Sequence, residues 1–269
     1  MPVDPDHRSN VNPIDAELMI YVRNISKDFG GQQVLSDITV DFEEGKTNLI
    51  IGASGSGKTV LLKAIAGLHP IDAGQILYDD MVFNQLEEKE RKLIHKKMGM
   101  LFQGSALFDF ATARENVRFP LDFFTDWSMA EKNDRVDFCL ERVNLEDIGN
   151  KYPSELSGGM QKRVGIARAI VMNPRYLFCD EPNSGLDPQT AIVIDQLISE
   201  ISHEYNMTTI INTHDMNSVM AIGEKVVFLY EGKKEWEGSR ENILHSDSKA
   251  LNDFVFASEM AKMLKKSKF

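Results

Sequence analysis

Cysteine is scarce: the 269 residues contain two, Cys139 and Cys179. That excludes a disulfide framework and a cysteine-rich metal cluster. One lies in a helix-like stretch and the other within an apolar run, so both are expected to be small core hydrophobes. Long hydrophobic runs are also missing, since no apolar stretch approaches the ~20 residues needed to cross a bilayer. The opening segment, MPVDPDHRSNVNP, has neither the basic flank nor the apolar stretch of a secretory signal. The chain is therefore expected to stay in the cytosol, and any work on a membrane requires a partner that supplies the spanning helices. Positive charge is the third deficit. Lys and Arg number 30 against 41 Asp and Glu, a formal net charge of −11, which leaves no electrostatic footprint for nucleic acid.

What is present reads as an α/β domain. Residues 1–16 are polar and rich in Pro, Asn and Asp, the composition of a loose arm. From Glu17, β-like segments (ELMIYVRNIS, VLSDITVDF) lead into KTNLIIGASGSGKTVLLKAIAGL, which reads as strand, glycine-rich loop and helix. A helix-rich block is expected over about residues 104–172, after which the α/β alternation resumes. RYLFCDEP and MTTIINTHD are apolar runs ending abruptly in charge, the pattern of parallel strands buried on both faces with functional groups at their C-terminal ends. Between them, Ala191, Ile194, Leu197, Ile198 and Ile201 form one helical stripe facing a core. VVFLYEGKKEWEGS predicts a hairpin turning at Gly232. The ATPase-like region is expected to run over 17–239, followed by a C-terminal helical extension over 240–269 whose lysine-rich end, KMLKKSKF, is read as a solvated tail or as a contact for anionic headgroups.

Gly52-Ala53-Ser54-Gly55-Ser56-Gly57-Lys58-Thr59 fits the phosphate-loop pattern G-x-x-x-x-G-K-[ST], with a strand before it and a helix after it. Glycines let successive amides converge on phosphate oxygens, Lys58 can reach the β- and γ-phosphates, and the Thr59 hydroxyl is available to Mg²⁺. Asp180 and Glu181 are adjacent carboxylates at a strand end, one able to contact the Mg²⁺ shell and the other able to take a proton from an attacking water. His214 ends the next apolar run, within reach of a γ-phosphate. Farther along, LSGGM places Ser157 where a helix N-cap belongs, followed by Gly158 and Gly159, so a second helix N-terminus suited to an anion stands about a hundred residues after the first.

Taken in order, the phosphate loop, Gln103, LSGGMQ, FCDEP, SGLD and His214 resemble the ATP-binding-cassette ATPases over the region from Glu17 to Ser239. The resemblance implies a P-loop NTPase nucleotide-binding domain with an antiparallel β subdomain and an inserted α-helical subdomain. It implies ATP hydrolysis with ATP and Mg²⁺ as cofactors, in a homodimer where Ser157, Gly158 and Gly159 of each copy close over nucleotide held by the other's Gly52, Ser54, Gly55, Gly57, Lys58 and Thr59. It assigns Phe29 to adenine stacking, with a plain β-core phenylalanine as the alternative. Gln103 is assigned to Mg²⁺ or water and to sensing a membrane partner, so that Thr59, Gln103 and Asp180 form the metal set and Glu181, His214 and Gln103 the catalytic set. Asp187 is placed at the dimer seam, and Asp187-Pro188 also reads as an ordinary capped helix start. Asn183 stands where the family usually has threonine.

Within that family, Val60 after the phosphate loop, GSALFD after Gln103, and Met160 make the chain similar to the MlaF/Mkl-type ATPase subunits. Their permeases work with MCE-domain proteins to move phospholipids across the bacterial envelope. The partners so implied are an integral membrane permease, an MCE-domain lipid-binding protein and a small regulatory subunit, with the ATPase peripheral at the cytoplasmic face of the inner membrane. Leu107, Phe108 and Phe110 either line the groove for a permease helix or pack the helical block. Other readings stay open: a transporter of small solutes or lipoprotein, or a permease-free cassette ATPase such as an iron–sulfur assembly factor.

Overall fold

A computed structural model describes residues 19–257. The expected N-terminal arm and the lysine-rich end lie outside the described residues. Two sheets organise the chain. β1 (Ile20–Phe29), β2 (Gln32–Phe42), β4 (Ala73–Tyr78) and β5 (Met81–Val82) form an antiparallel sheet in the order β2-β1-β4-β5. The other is ordered β10-β9-β3-β8-β7-β6, from β3 (Thr47–Ile51), β6 (Met98–Leu101), β7 (Tyr176–Asp180), β8 (Thr208–Thr213), β9 (Lys225–Tyr230) and β10 (Lys233–Gly238). Its pairings are parallel except for β10, which folds back on β9 through the hairpin at Gly232.

The central strands β3, β7 and β8 are buried along their whole length, and each carries an apolar stretch, Leu49 to Ile51, Tyr176 to Cys179 and Ile210 to Ile211. Strand alternation sends Leu49 and Ile51 into one core and Ile50 into the other; Leu177 and Cys179 likewise oppose Tyr176 and Phe178. The first core is closed by helices α3 (Ala113–Phe124), α4 (Met129–Arg142), α5 (Gly158–Ile170), α6 (Pro188–Glu204) and α7 (Met216–Ile222). The second lies between the antiparallel sheet and α1 (Lys58–Ile65), with α2 (Glu88–His95) beside it. The stripe of Ala191, Ile194, Leu197, Ile198 and Ile201 is buried as expected, and so are both cysteines. Burial pushes the Cys139 thiol up to about 11 and Cys179 higher still, so neither supplies a thiolate at neutral pH.

The helical block forms where its caps begin. Thr112 with Glu115, and Ser128 with Glu131, make reciprocal capping boxes that start α3 and α4. Beyond residue 240, Ile243, Leu251 and Val255, the last two on α8 (Lys249–Val255), join the first core, so this stretch packs onto the ATPase-like body. One close approach joins the two sheets. Ser36 N–H donates to the Gly232 carbonyl at 2.8 Å, and a Cβ on Gly232 would lie 2.5 Å from the Val34 carbonyl oxygen. The same Val34 oxygen would lie 3.0 Å from a Cβ on Gly57, so the hairpin turn and the phosphate loop both rest on one short piece of β2.

Candidate functional site

The phosphate loop leaves β3 at Ile51 and enters α1 at Lys58. Gly52, Gly55 and Gly57 have φ of 150°, 80° and 100°, conformations that cost an L side chain dearly. Ala53, Ser54 and Gly55 form an exposed tip, while Ser56 and Lys58 are buried behind it. The Lys58 ammonium donates to the carbonyls of Gly52 and Ala53 at 2.9 and 3.0 Å, and burial depresses its pKa. A buried cation held only by carbonyl oxygens favours a nearby anion. Ser56 Oγ is buried without a partner in the same loop.

At the ends of the neighbouring strands β7 and β8, polar side chains converge on this loop. Thr59 Oγ1 donates to Asp180 Oδ1 at 3.0 Å, and Asn212 Nδ2 donates to the same carboxylate oxygen at 2.7 Å and to Thr59 Oγ1 at 3.2 Å. Glu181 follows with φ 45°, a left-handed conformation unusual for a residue with a side chain. It is held there by its N–H, which donates to Asn212 Oδ1 at 2.7 Å and to the Asn212 carbonyl at 3.1 Å. The turn away from the strand aims the carboxylate between two partners: Gln103 Nε2 donates to Oε2 at 3.0 Å, and His214 Nδ1 lies 3.2 Å from Oε1. Gln103 also donates to Ser184 Oγ at 3.3 Å.

Gln103 itself is gripped from α5. Lys162, 4% exposed, donates to the Gln103 carbonyl, and Arg168 donates to the carbonyls of Ser105 and Ala106. Those two residues have φ of 60° and 47°, so two cations from one helix hold a backbone that would otherwise relax. Gly165, between them on α5, permits the approach, since a Cβ there would come within 2.8 Å of Leu101 Cδ1.

The LSGGM segment opens α5 as expected. Ser157 caps it, its hydroxyl accepting from Met160 N–H at 3.3 Å, and Ser157 and Gly158 are exposed. Asp187 caps α6, accepting from the N–H groups of Gln189 and Thr190 at 3.1 and 3.0 Å; the hydrogen bond from the Thr190 hydroxyl is the main cause of its depressed pKa. Phe29, at the end of β1, is 46% exposed with Lys27 Nζ 5.1 Å from its ring centroid and the His69 ring edge-on at 5.9 Å. It is therefore a surface platform and not a core residue.

With this geometry in place, one comparison decides the family: the ABC transporter family model matches residues 35–184. The chain belongs to the ABC transporter family. Among curated ABC proteins it is 37% identical over 237 residues to the methionine import ATP-binding protein MetN of Clostridioides difficile, covering 88% of this chain and 74% of that protein. It is 36% identical to the probable ribonucleotide transport ATP-binding protein mkl of Mycobacterium leprae, covering 88% of this chain and 68% of that one. Among solved structures, the dimeric ATP-binding cassette MJ0796 in a post-hydrolysis state bound to ADP and Pi matches with a TM-score of 0.75 at 33% identity, over 82% of this chain and 98% of that one. CbiO1 from Clostridium perfringens, part of the ABC transporter complex cbiONQ, gives 0.79 at 28% identity over 93% and 99%. The ABC ATPase fold and the ATPase activity expected from the motifs thus hold for this chain.

The cassette's residues fit ATP and also the Mg²⁺ expected with it. The cradle of left-handed glycines, the buried Lys58 ammonium and the unpartnered Ser56 hydroxyl suit a polyphosphate. Thr59, Asp180 and Gln103 offer only oxygen ligands, the donor set for Mg²⁺, which keeps waters and substrate phosphate in its remaining positions. Accordingly, no cluster of three or more His, Cys, Asp or Glu suited to a metal occurs among the described residues. Sequence reasoning overlooked Asn212, which joins Thr59, Asp180 and Glu181; its signal was an amide directly after the buried Ile210 and Ile211, near the C-terminal end of β8. It also overlooked Lys162 and Arg168, whose charges looked like the solvated face of a helix.

Proposed function

We propose that the chain is the ATP-hydrolysing subunit of a membrane transporter, working as a homodimer on the cytoplasmic face of the membrane against a permease. The observation that carries the shared site is the exposure of both halves: the phosphate-loop tip at Ala53 to Gly55, and the capped N-terminus at Ser157 and Gly158. Each half presents convergent backbone amides to solvent, and a second copy supplies the missing wall to each. Dimeric MJ0796 is similar over 82% of this chain, which supports the same arrangement.

In this reading ATP lies with its phosphates on the Gly52–Thr59 loop and its base on Phe29. Lys58 moves from its two carbonyls to the phosphates. Thr59, Asp180 and Gln103 would hold Mg²⁺, which would supply charge neutralisation for the phosphates. Glu181 orients the attacking water and takes its proton, which requires it to release the bonds to Gln103 and His214 seen at 3.0 and 3.2 Å. His214 is then free to hold the γ-phosphate, and Asn212 keeps the Glu181 backbone turned outward. Closure follows from differential affinity: ATP bridges the two copies, and loss of its γ-phosphate removes the bridge.

The cargo reading is phospholipid, moved with an MCE-domain partner and a small regulatory subunit. It is supported by Val60, the GSALFD run and Met160, the residues that carry the resemblance to the MlaF/Mkl-type subunits. Methionine import is the second reading, favoured by the 37% identity to MetN. Purification of the tagged chain from native membranes, followed by mass spectrometry of its companions, separates them. An MCE-domain protein and co-extracted phospholipid support the first; a permease with a methionine-binding lipoprotein and no MCE protein rejects it.

The shared site has its own test. Lys58→Ala damages one half and Ser157→Arg the other, so mixtures of the two inactive proteins should regain ATP-dependent dimers by light scattering. Mixtures no better than either parent alone would reject the shared site.

A further inference from the structure

The two signature glycines do not need their conformational freedom, because neither Gly158 nor Gly159 has a positive φ. Gly159 needs space instead. A Cβ there would come within 2.6 Å of Thr190 Cγ2 of the same chain, and a Cβ on Gly158 would lie 3.6 Å from Leu186 Cδ2. Thr190 is in the first turn of α6, and its hydroxyl donates to Asp187 Oδ2 at 2.5 Å. Asp187 ends the loop that begins at Glu181, within which Ser184 N–H donates to the Glu181 carbonyl and Leu186 N–H to that of Asn183. Thr190 thus touches the signature with its methyl and the loop after the carboxylate with its hydroxyl.

We propose that Thr190 is a positioning residue that couples the signature of a protomer to that same protomer's Glu181, so that the two shared pockets of the dimer sense each other through one side chain. This rests on the dimeric reading above. When Glu181 and its loop shift on hydrolysis, Asp187 and Thr190 shift with them, and Gly159, seated on Thr190, moves in the pocket of the other copy. The inference also changes how a signature lesion acts. A substituent at Gly159 strikes its own chain's Thr190 and disturbs its own Glu181, beyond any loss at the partner's nucleotide.

Gly159→Ala in the full-length chain tests this, since alanine is the better helix former and φ is ordinary, leaving collision with Thr190 or a loss at the partner's nucleotide as the source of any effect, which second changes at Thr190 separate. Its kcat for ATP should fall on the order of 10²-fold, as for a ~1 Å misplacement of catalytic groups, with KM within about twofold. Adding Thr190→Ser, which deletes the colliding methyl and keeps the hydroxyl, should restore most of kcat; adding Thr190→Val, which keeps the methyl, should not. A rise in KM with kcat unchanged, or equal behaviour of the Ser and Val combinations, overturns the proposal. Thr190→Val with Gly159 intact is the second measurement. It preserves volume and removes the bond to Asp187, so kcat should drop severalfold; an unchanged kcat overturns the relay. Restoration by Thr190→Ser while the Lys58→Ala and Ser157→Arg mixture fails would condemn the shared pocket alone, and the converse would condemn the relay alone.

Discussion

Single side chains decide the chemistry here, and Glu181 is the clearest case. It is held in a left-handed conformation by Asn212, with its carboxylate between Gln103 and His214. Glu181→Gln should therefore bind ATP with little change and lose 10²–10⁴ in kcat, the usual contribution of a positioned base, by steady-state assay alongside nucleotide titration. Near-normal turnover would remove Glu181 from that role. Asp195 matters for stability instead. It is 3% exposed on α6, and burial raises its carboxyl to about 6, offset by hydrogen bonds from Ser218 and Asn183 and reinforced by the charge of Asp215. Cys179 on β7 is its neutral neighbour. The folded value exceeds the unfolded one, so folding holds the proton and stability declines as pH rises from about 4 through about 6. Asp195→Asn removes a penalty of roughly 3 kcal/mol at pH 7.5, and melting should rise by about 5 °C there, with the gain falling to about a third at pH 4.5. A gain of equal size at both pH values would contradict this account.

At the scale of elements, α5 does two jobs: its first turn is the exposed signature, and its middle grips the loop of Gln103 through Lys162 and Arg168. Lys162→Met keeps the length and burial of the side chain but drops the hydrogen bond to the Gln103 carbonyl. Loss of one charge-assisted bond, about 1.5–3 kcal/mol, should lower kcat about tenfold or more while ATP affinity holds, and Lys162→Arg should recover part of it. Equal loss in both variants would mean a packing defect. These two roles explain what the sequence showed and what it hid. Apolar stretches followed by DE and TH disclosed β7 and β8, because parallel strands buried on both faces centre on apolar side chains and carry functional groups at their C-terminal ends. The phosphate loop and LSGGM were legible because glycine spacing is forced by backbone geometry and close approach. Lys162 and Thr190 were not, since each acts through a contact with a segment distant in sequence, and nothing at their own positions is unusual. Leu107, Phe108 and Phe110 show the same limit: Leu107 packs against the core whereas Phe110 is 83% exposed, although the three are neighbours in one run.

Across the whole molecule, the helical block carries an apolar surface that its own core does not use. Phe110, Phe119, Phe123 and Trp127 are all exposed, and no helix among the described residues is long and apolar enough to cross a membrane. On the proposed function, such a face is where the permease would dock. Phe110→Asp with Phe123→Asp should leave the ATPase of the isolated chain intact and reduce recovery of the permease in pull-downs by at least tenfold, an interface effect of about 1.4 kcal/mol or more. Undiminished recovery would place the permease elsewhere.

Gly57, the last glycine of the phosphate loop, abuts the Val34 carbonyl on β2, and β2 pairs with β1 at Gln32 and Phe29, so one strand ties the phosphate loop to the strand that carries the Phe29 ring. With the base on Phe29 and the phosphates on the loop, as proposed, the protein would grip its nucleotide like a calliper set to one width. Adenosine and triphosphate offered as separate molecules should each bind feebly, and their covalent union should gain far more than the two affinities combined, a chelate effect recorded in the geometry of a single strand.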